Sequence, residues 1–149
     1  MHASGVGMPE NNTEAVRWYR MAAEKGFSKA QSLLGTAYHR GIGVSADDAQ
    51  ATQWLLKAAD QMDPLAQFQL GEGLEIGWAG KKEYAEAYKW YLLSASQGYT
   101  KATKKVAALE NNLSKDQRID GQSRATEFRT PRVKKENESL EFIIKASQL

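Results

Sequence analysis

The run SKAQSLLGTAYHRGIGVSADDAQATQWLLKAADQM, residues 28–62, decides how this chain folds, because its landmarks return at one fixed distance. Trp54 lies 36 residues after Trp18 and 36 before Trp90. The same interval links Ala15, Ala51 and Ala87, then Ala23, Ala59 and Ala95, then Ala30, Ala66 and Ala102. Leu34-Gly35 recurs as Leu70-Gly71, and Tyr19 recurs as Leu55 and Tyr91. Gly26 returns as Gly98 with Met62 between them, and Gly5-Val6-Gly7 matches Gly41-Ile42-Gly43. So many columns at one offset define stacked units, none of which can bury its apolar face alone.

Each unit reads as two helices. The first is expected from a Ser28/Gln31 capping box to about Arg40, where Gly41 and Gly43 supply the positive φ of a turn. The second is expected from about Asp48 to Ala59, with Ala51, Trp54, Leu55, Ala58 and Ala59 forming one apolar stripe. In the next unit Asp63 is the expected N-cap and Pro64 the first helical residue. Small residues at 30, 35, 51 and 59 leave room for close helix approach, and the three tryptophans are expected to occupy equivalent interior places. After Lys101 the pattern runs to Asn111-Asn112. A Ser114/Gln117 capping box then opens a polar helix expected to stop at Thr130-Pro131, with Ile119, Ala125 and Phe128 covering the last unit. The rest of the tail favours helix over strand, and its Leu140, Phe142, Ile143 and Ile144 are expected to dock on the array or on a partner.

Composition fits this reading. The chain has 149 residues, 42% of them hydrophobic, only three prolines and no cysteine. That excludes disulfides, thiolate metal sites and thiol nucleophiles. No apolar run of about 18 residues spans a membrane, and the first residues lack the apolar core of a signal peptide. Net charge is +2, yet residues 101–135 hold ten Lys/Arg against four Asp/Glu, so that stretch is +6 and the remainder −4. A solvated terminal face explains this best, with steering of an acidic partner as the alternative.

As a set, Ala30, Leu34-Gly35, Tyr38, Gly41-x-Gly43-Val44, Ala51, Trp54 and Ala58-Ala59, closing at the Gly26-type position, resemble the Sel-one-like repeat (SLR) family. That family is a relative of the tetratricopeptide repeat. The resemblance covers residues 1 to about 112. Met62-Asp63-Pro64, Gly77-Trp78-Ala79-Gly80 and Val106-Ala107-Ala108 depart from it, the last marking the end of the array. It implies an all-α fold, a right-handed α-α superhelix built as a solenoid of 36-residue helix-turn-helix repeats. The expected divisions are a partial repeat at 1–26 (second helix only), repeats at 27–62 and 63–98, a terminal half-repeat with capping helix at 99–129, and a basic and apolar tail at 130–149. His2 aligns with Tyr38, so preceding repeats are expected to lie outside this sequence.

No chemistry emerges from the motifs. His2 and His39 sit in no metal-binding spacing, so neither a metal nor any other cofactor is expected. Glu72 and Glu75 share a helix face, but a solvated or partner-facing pair is favoured over an acid/base pair. Gly71-x-Gly73 lies within a helix and follows no strand, unlike a nucleotide loop. Trp78 reads equally as a turn plug or an exposed contact. The chain is therefore expected to be no enzyme but a protein-protein interaction scaffold or adaptor of bacterial SLR type. An immunity protein that caps a secreted toxin or effector enzyme is the alternative.

By resemblance to tetratricopeptide arrays, the partner, a protein or peptide, is expected on the concave face. The positions are Lys29, Ser32, Thr36, His39, Arg40, Leu65, Phe68, Glu72, Glu75, Lys101, Lys104 and Asn111, with Phe68 and Leu65 as the apolar centre. Nucleic acid is disfavoured, since no exposed aromatics interleave the basic residues. Self-association through an open N-terminal edge is a further expectation. The compartment reads as cytoplasmic as the sequence stands, or periplasmic or secreted if a leader precedes it.

Overall fold

The structure is a computed structural model describing residues 8–148, the side chains of 8–10, 130–137 and 139 aside. Among the described residues there are seven helices and no strand: α1 Met8–Glu24, α2 Ser28–Arg40, α3 Asp48–Asp60, α4 Pro64–Ile76, α5 Tyr84–Ser96, α6 Thr100–Glu110 and α7 Lys115–Ser147. Consecutive helices pack as hairpins, and the hairpins stack into an all-α repeat solenoid. The helices α2, α4 and α6 form one layer, tied by Thr36 to Gln69 and by Lys105 to Glu75, while α1, α3 and α5 form the other.

The helix ends follow local chemistry. Asp63 Oδ1 accepts from the Ala66 N–H with Pro64 in the first turn, and Asp47 caps α3 in the same way. Ser114 and Gln117 make a reciprocal capping box on α7. The capping box expected at Ser28 is absent. Phe27 occupies the N-cap without a side-chain bond, and Gln31 is drawn inward instead. Its Nε2 donates to the Ala23 carbonyl, and Gln67 Nε2 does the same to Ala59. Gln61 then donates to Gln31 Oε1, and Gln97 donates to Gln67 Oε1, each at 2.8 Å. A buried amide must find partners, and here the partners recur with the 36-residue period and tie each repeat to the next. The turn expected at Gly5-Val6-Gly7 lies outside the described residues.

The tryptophans are not equivalent. Trp90 is 2% exposed, whereas Trp54 is half-buried and Trp18 is 61% exposed. Each indole needs cover from outside its own hairpin. Trp90 receives it from Phe128 of α7, edge-on at 5.2 Å, and Trp54 packs beside the α1/α2 cluster. Trp18 lacks such a neighbour among the described residues. The interior column is the adjacent one: Leu55 and Tyr91 are fully buried, each wedged against a helix glycine.

Helix α7 also departs from expectation. It docks on α5, where Gly121 meets Tyr88 and where Ala125 and Phe128 meet Trp90, while Ile119 stays exposed. Burial would raise the Glu86 carboxyl, but hydrogen bonds from Lys89 and Arg124 outweigh it and hold the group below its usual range. The helix does not stop at Thr130-Pro131. Its backbone continues helical to Ser147, since proline removes one hydrogen bond, whose acceptor lies on the exposed Glu127 turn. Leu140, Phe142, Ile143 and Ile144 are exposed, so this cluster does not dock on the array.

Met62 occupies the column of Gly26 and Gly98. All three residues have positive φ, 70° for Met62 against 96° and 86° for the glycines. A side chain there costs roughly 1–2 kcal/mol, offset in part by the contact of Gln67 Nε2 with the Met62 sulfur. Met62→Gly should therefore raise unfolding stability by about 1 kcal/mol in urea titrations; a loss of stability would show that the sulfur contact outweighs the strain.

Candidate functional site

Where the first-helix layer passes from α2 to α4, a cleft of about 380 Å³ opens between the repeats. Thr36, His39 and Arg40 of α2 line one side, and Gln69, Glu72 and Ile76 of α4 line the other. Leu55 forms part of the wall, as does Trp78 from the loop after α4. Helical spacing explains why these residues converge: 36, 39 and 40, like 69, 72 and 76, lie one turn apart on one face.

Trp78 resolves as a plug. Its indole lies against the bare backbone of Gly73, where a Cβ would approach Cε3 to 2.5 Å, and it stacks on His39 with centroids 3.7 Å apart. His39 Nδ1 bonds Asp48 Oδ1 at 2.8 Å, so the imidazole joins α2, α3 and the following repeat. Gly71-x-Gly73 is thus a pair of packing seats, Gly71 for Tyr91 and Gly73 for Trp78.

Glu72 carries the unusual electrostatics. Partial burial raises its carboxyl, Glu75 adds to that, and Lys105, Lys101 and His39 oppose it. Lys105 is engaged elsewhere, on Glu75 at 3.5 Å. Glu75 also accepts from Tyr91 at 2.7 Å, and burial together with that bond pushes the phenol far above its usual value. Among the described residues neither Glu72 nor Arg40 has a hydrogen bond or ion pair, although both line the same cleft.

The expected contact residues divide by column. Lys29, Arg40, Lys101, Lys104 and Asn111 are exposed, and Thr36, His39, Leu65, Glu72 and Glu75 are half-buried. Ser32 and Phe68 are corrections: at 1% and 8% exposure they belong to the core. Phe68 packs on Tyr91 of its own hairpin and on Tyr99 at the start of the following unit, at 5.8 and 5.2 Å, and the two cover it. Lys104, in the same column, has no following repeat hairpin against it and stays exposed. Sequence reasoning missed Gln69, Ile76 and Leu55 as cleft residues. Gln69 carried no signal, since its place follows from a cross-repeat bond with Thr36. No cluster of three His, Cys, Asp or Glu that would hold a metal occurs among the described residues, and no helix there is long and apolar enough to cross a membrane.

A stack of helix hairpins with an open, chemically varied layer and clefts between repeats defines the class of helical-repeat interaction proteins. The Sel1 repeat model matches residues 1–27, 28–62 and 64–99, and the chain belongs to that family. Such proteins are generally protein-interaction scaffolds. Two solved structures share the fold. One is c5321, a protective antigen of uropathogenic Escherichia coli strains displaying an SLR fold, similar at 32% identity over 84% of this chain with a TM-score of 0.80. The other is a Sel1 repeat protein from Oxalobacter formigenes, similar at 34% identity over 75% of this chain with a TM-score of 0.64. The chain spans only 27% and 49% of those two proteins. No curated protein matches.

The raised Glu72 carboxyl has a consequence for stability. The folded chain keeps that proton at pH values where the unfolded chain has lost it, so stability falls as pH rises through that interval. The cost of the half-buried charge then persists at neutral pH. Glu72→Gln should raise the thermal midpoint at pH 7, and the gain should vanish near about pH 3, below the ordinary carboxyl range. An unchanged or lower midpoint at pH 7 contradicts this account of the site.

Proposed function

We propose that the chain is a non-catalytic adaptor holding a partner protein or peptide along the concave layer formed by α2, α4 and α6. The observation that supports this most is the cleft between α2 and α4, where Arg40 and Glu72 present charge without partners among the described residues. Core columns of the repeat keep their residue types, Leu34 with Leu70 and Gly35 with Gly71. The outward columns change: Lys29, Leu65 and Lys101 in one, Thr36 and Glu72 in another, His39, Glu75 and Asn111 in a third. A surface that varies at fixed register suits one shaped ligand, read by charge from basic through acidic to basic zones. With Phe68 in the core, the apolar component of such a surface falls to Leu65, Ile76 and Trp78.

Site-specific photo-crosslinking in cells tests the placement. A benzophenone side chain at Arg40 or Lys101 should give a discrete adduct, and one at Gln53, exposed on the second-helix layer, should give none. Adducts from Gln53 alone, or equally from all three positions, contradict the groove reading.

A further inference from the structure

We propose that the cleft between α2 and α4 is a subsite for one basic side chain of a bound peptide, with Glu72 as its counter-ion and Arg40 receiving a neighbouring acceptor. This rests on the groove reading above and assigns chemistry to its central cleft. The volume, about 380 Å³, suits one long side chain with its flanking backbone. Ile76 and Trp78 give an apolar wall along which an aliphatic stem lies, as such stems do when only their charged ends need polar surroundings.

The charge pattern selects the occupant. Glu72 is half-buried and has no ion pair within 4 Å among the described residues, although Lys101 and Lys105 stand near enough to act on it. Lys105 is bound to Glu75, and Lys101 is exposed on α6. His39 is committed to Asp48 and stacked on Trp78, so it supplies no bond to Glu72. A buried carboxylate left unpaired is costly, and a ligand cation that pairs it recovers that cost. Gln69 does not take the role, because its amide is turned toward Thr36, from which Oε1 accepts at 3.0 Å, and it makes no hydrogen bond to Glu72. Arg40, also unpaired, would repel a lone cation. An extended peptide brings carbonyl oxygens alongside its basic side chain, and a guanidinium binds such acceptors through its fork of donors. Both orphan charges are then satisfied by one zwitterion-like segment, whereas an acidic side chain would leave Glu72 unpaired and repelled.

Titration of N-acetyl-arginine methylamide, followed by the indole N–H resonances of uniformly ¹⁵N-labelled protein, tests the subsite. Trp78→Phe assigns the reporting peak among the four indoles. Saturable shifts at Trp78 are expected in the millimolar range, with the isosteric neutral N-acetyl-citrulline methylamide at least about fivefold weaker. Glu72→Gln should weaken the arginine probe about tenfold, in line with loss of a charge-assisted bond. Lys25→Gln, in the exposed turn between α1 and α2, should leave it unchanged. Equal binding of arginine and citrulline, preference for N-acetyl-glutamate methylamide, or no shift at Trp78 would each overturn the proposal. Those outcomes leave the crosslinking result standing. Arginine-selective shifts with no crosslink at Arg40 would instead keep the subsite and remove the groove.

Discussion

Two glycines set how closely the layers of this solenoid approach. A Cβ on Gly35 would stand 2.7 Å from Leu55 Cγ, and one on Gly71 would stand 2.7 Å from the Tyr91 ring. Each bare stretch of first helix receives a fully buried side chain of the second helix of its own repeat. Ala51 and Ala87, fully buried, keep the rest of the contact thin. Gly121 repeats the arrangement against Tyr88 where α7 closes the array. Once the hairpins are this tight, Gln31 and Gln67, each held by Gln61 or Gln97 of its own repeat, donate to the Ala23 and Ala59 carbonyls of the preceding repeat and set the stacking register. The cleft follows from that register, because its two walls belong to different repeats.

Much of this was readable in the chain. The 36-residue interval announced the hairpins, and Asp63-Pro64, Ser114 with Gln117, and Gly41 marked helix ends where the structure has them. Local signals misled wherever tertiary packing made a better offer. Gln31 had the spacing of a capping residue, but the buried Ala23 carbonyl claimed it. The tryptophan column, the most conspicuous in the sequence, lies at the seam, so its burial depends on what covers each copy. The plainer neighbouring column holds the interior at Leu55 and Tyr91, with Tyr19 half-buried. Pro131 reads as a helix stop only where the lost hydrogen bond cannot be met by water.

The cleft was legible in half. Thr36, His39, Arg40 and Glu72 follow from asking which first-helix positions turn away from the second helix. Ser32 and Phe68 follow from the same question and are nonetheless buried, because a helix in a stack has two covered sides, its hairpin partner and the next repeat. One repeat's periodicity reveals only the first. Gln69 and Ile76 enter from the neighbouring repeat, a relation that periodicity does not encode.

The spacing of the layers depends on Gly71 and Tyr91 being a matched pair, and a double-mutant cycle measures that directly. Gly71→Ala alone should destabilise by about 1–3 kcal/mol despite the better helix propensity of alanine, because the Tyr91 ring is held by Glu75 and has little room to move. In a Tyr91→Leu background, which copies the Leu55 arrangement, the same change should cost at least about 1 kcal/mol less, within the range seen for residues in contact. Additive effects would mean that the glycine does not set the spacing of the layers, and the derivation of the cleft from that spacing would fail with it.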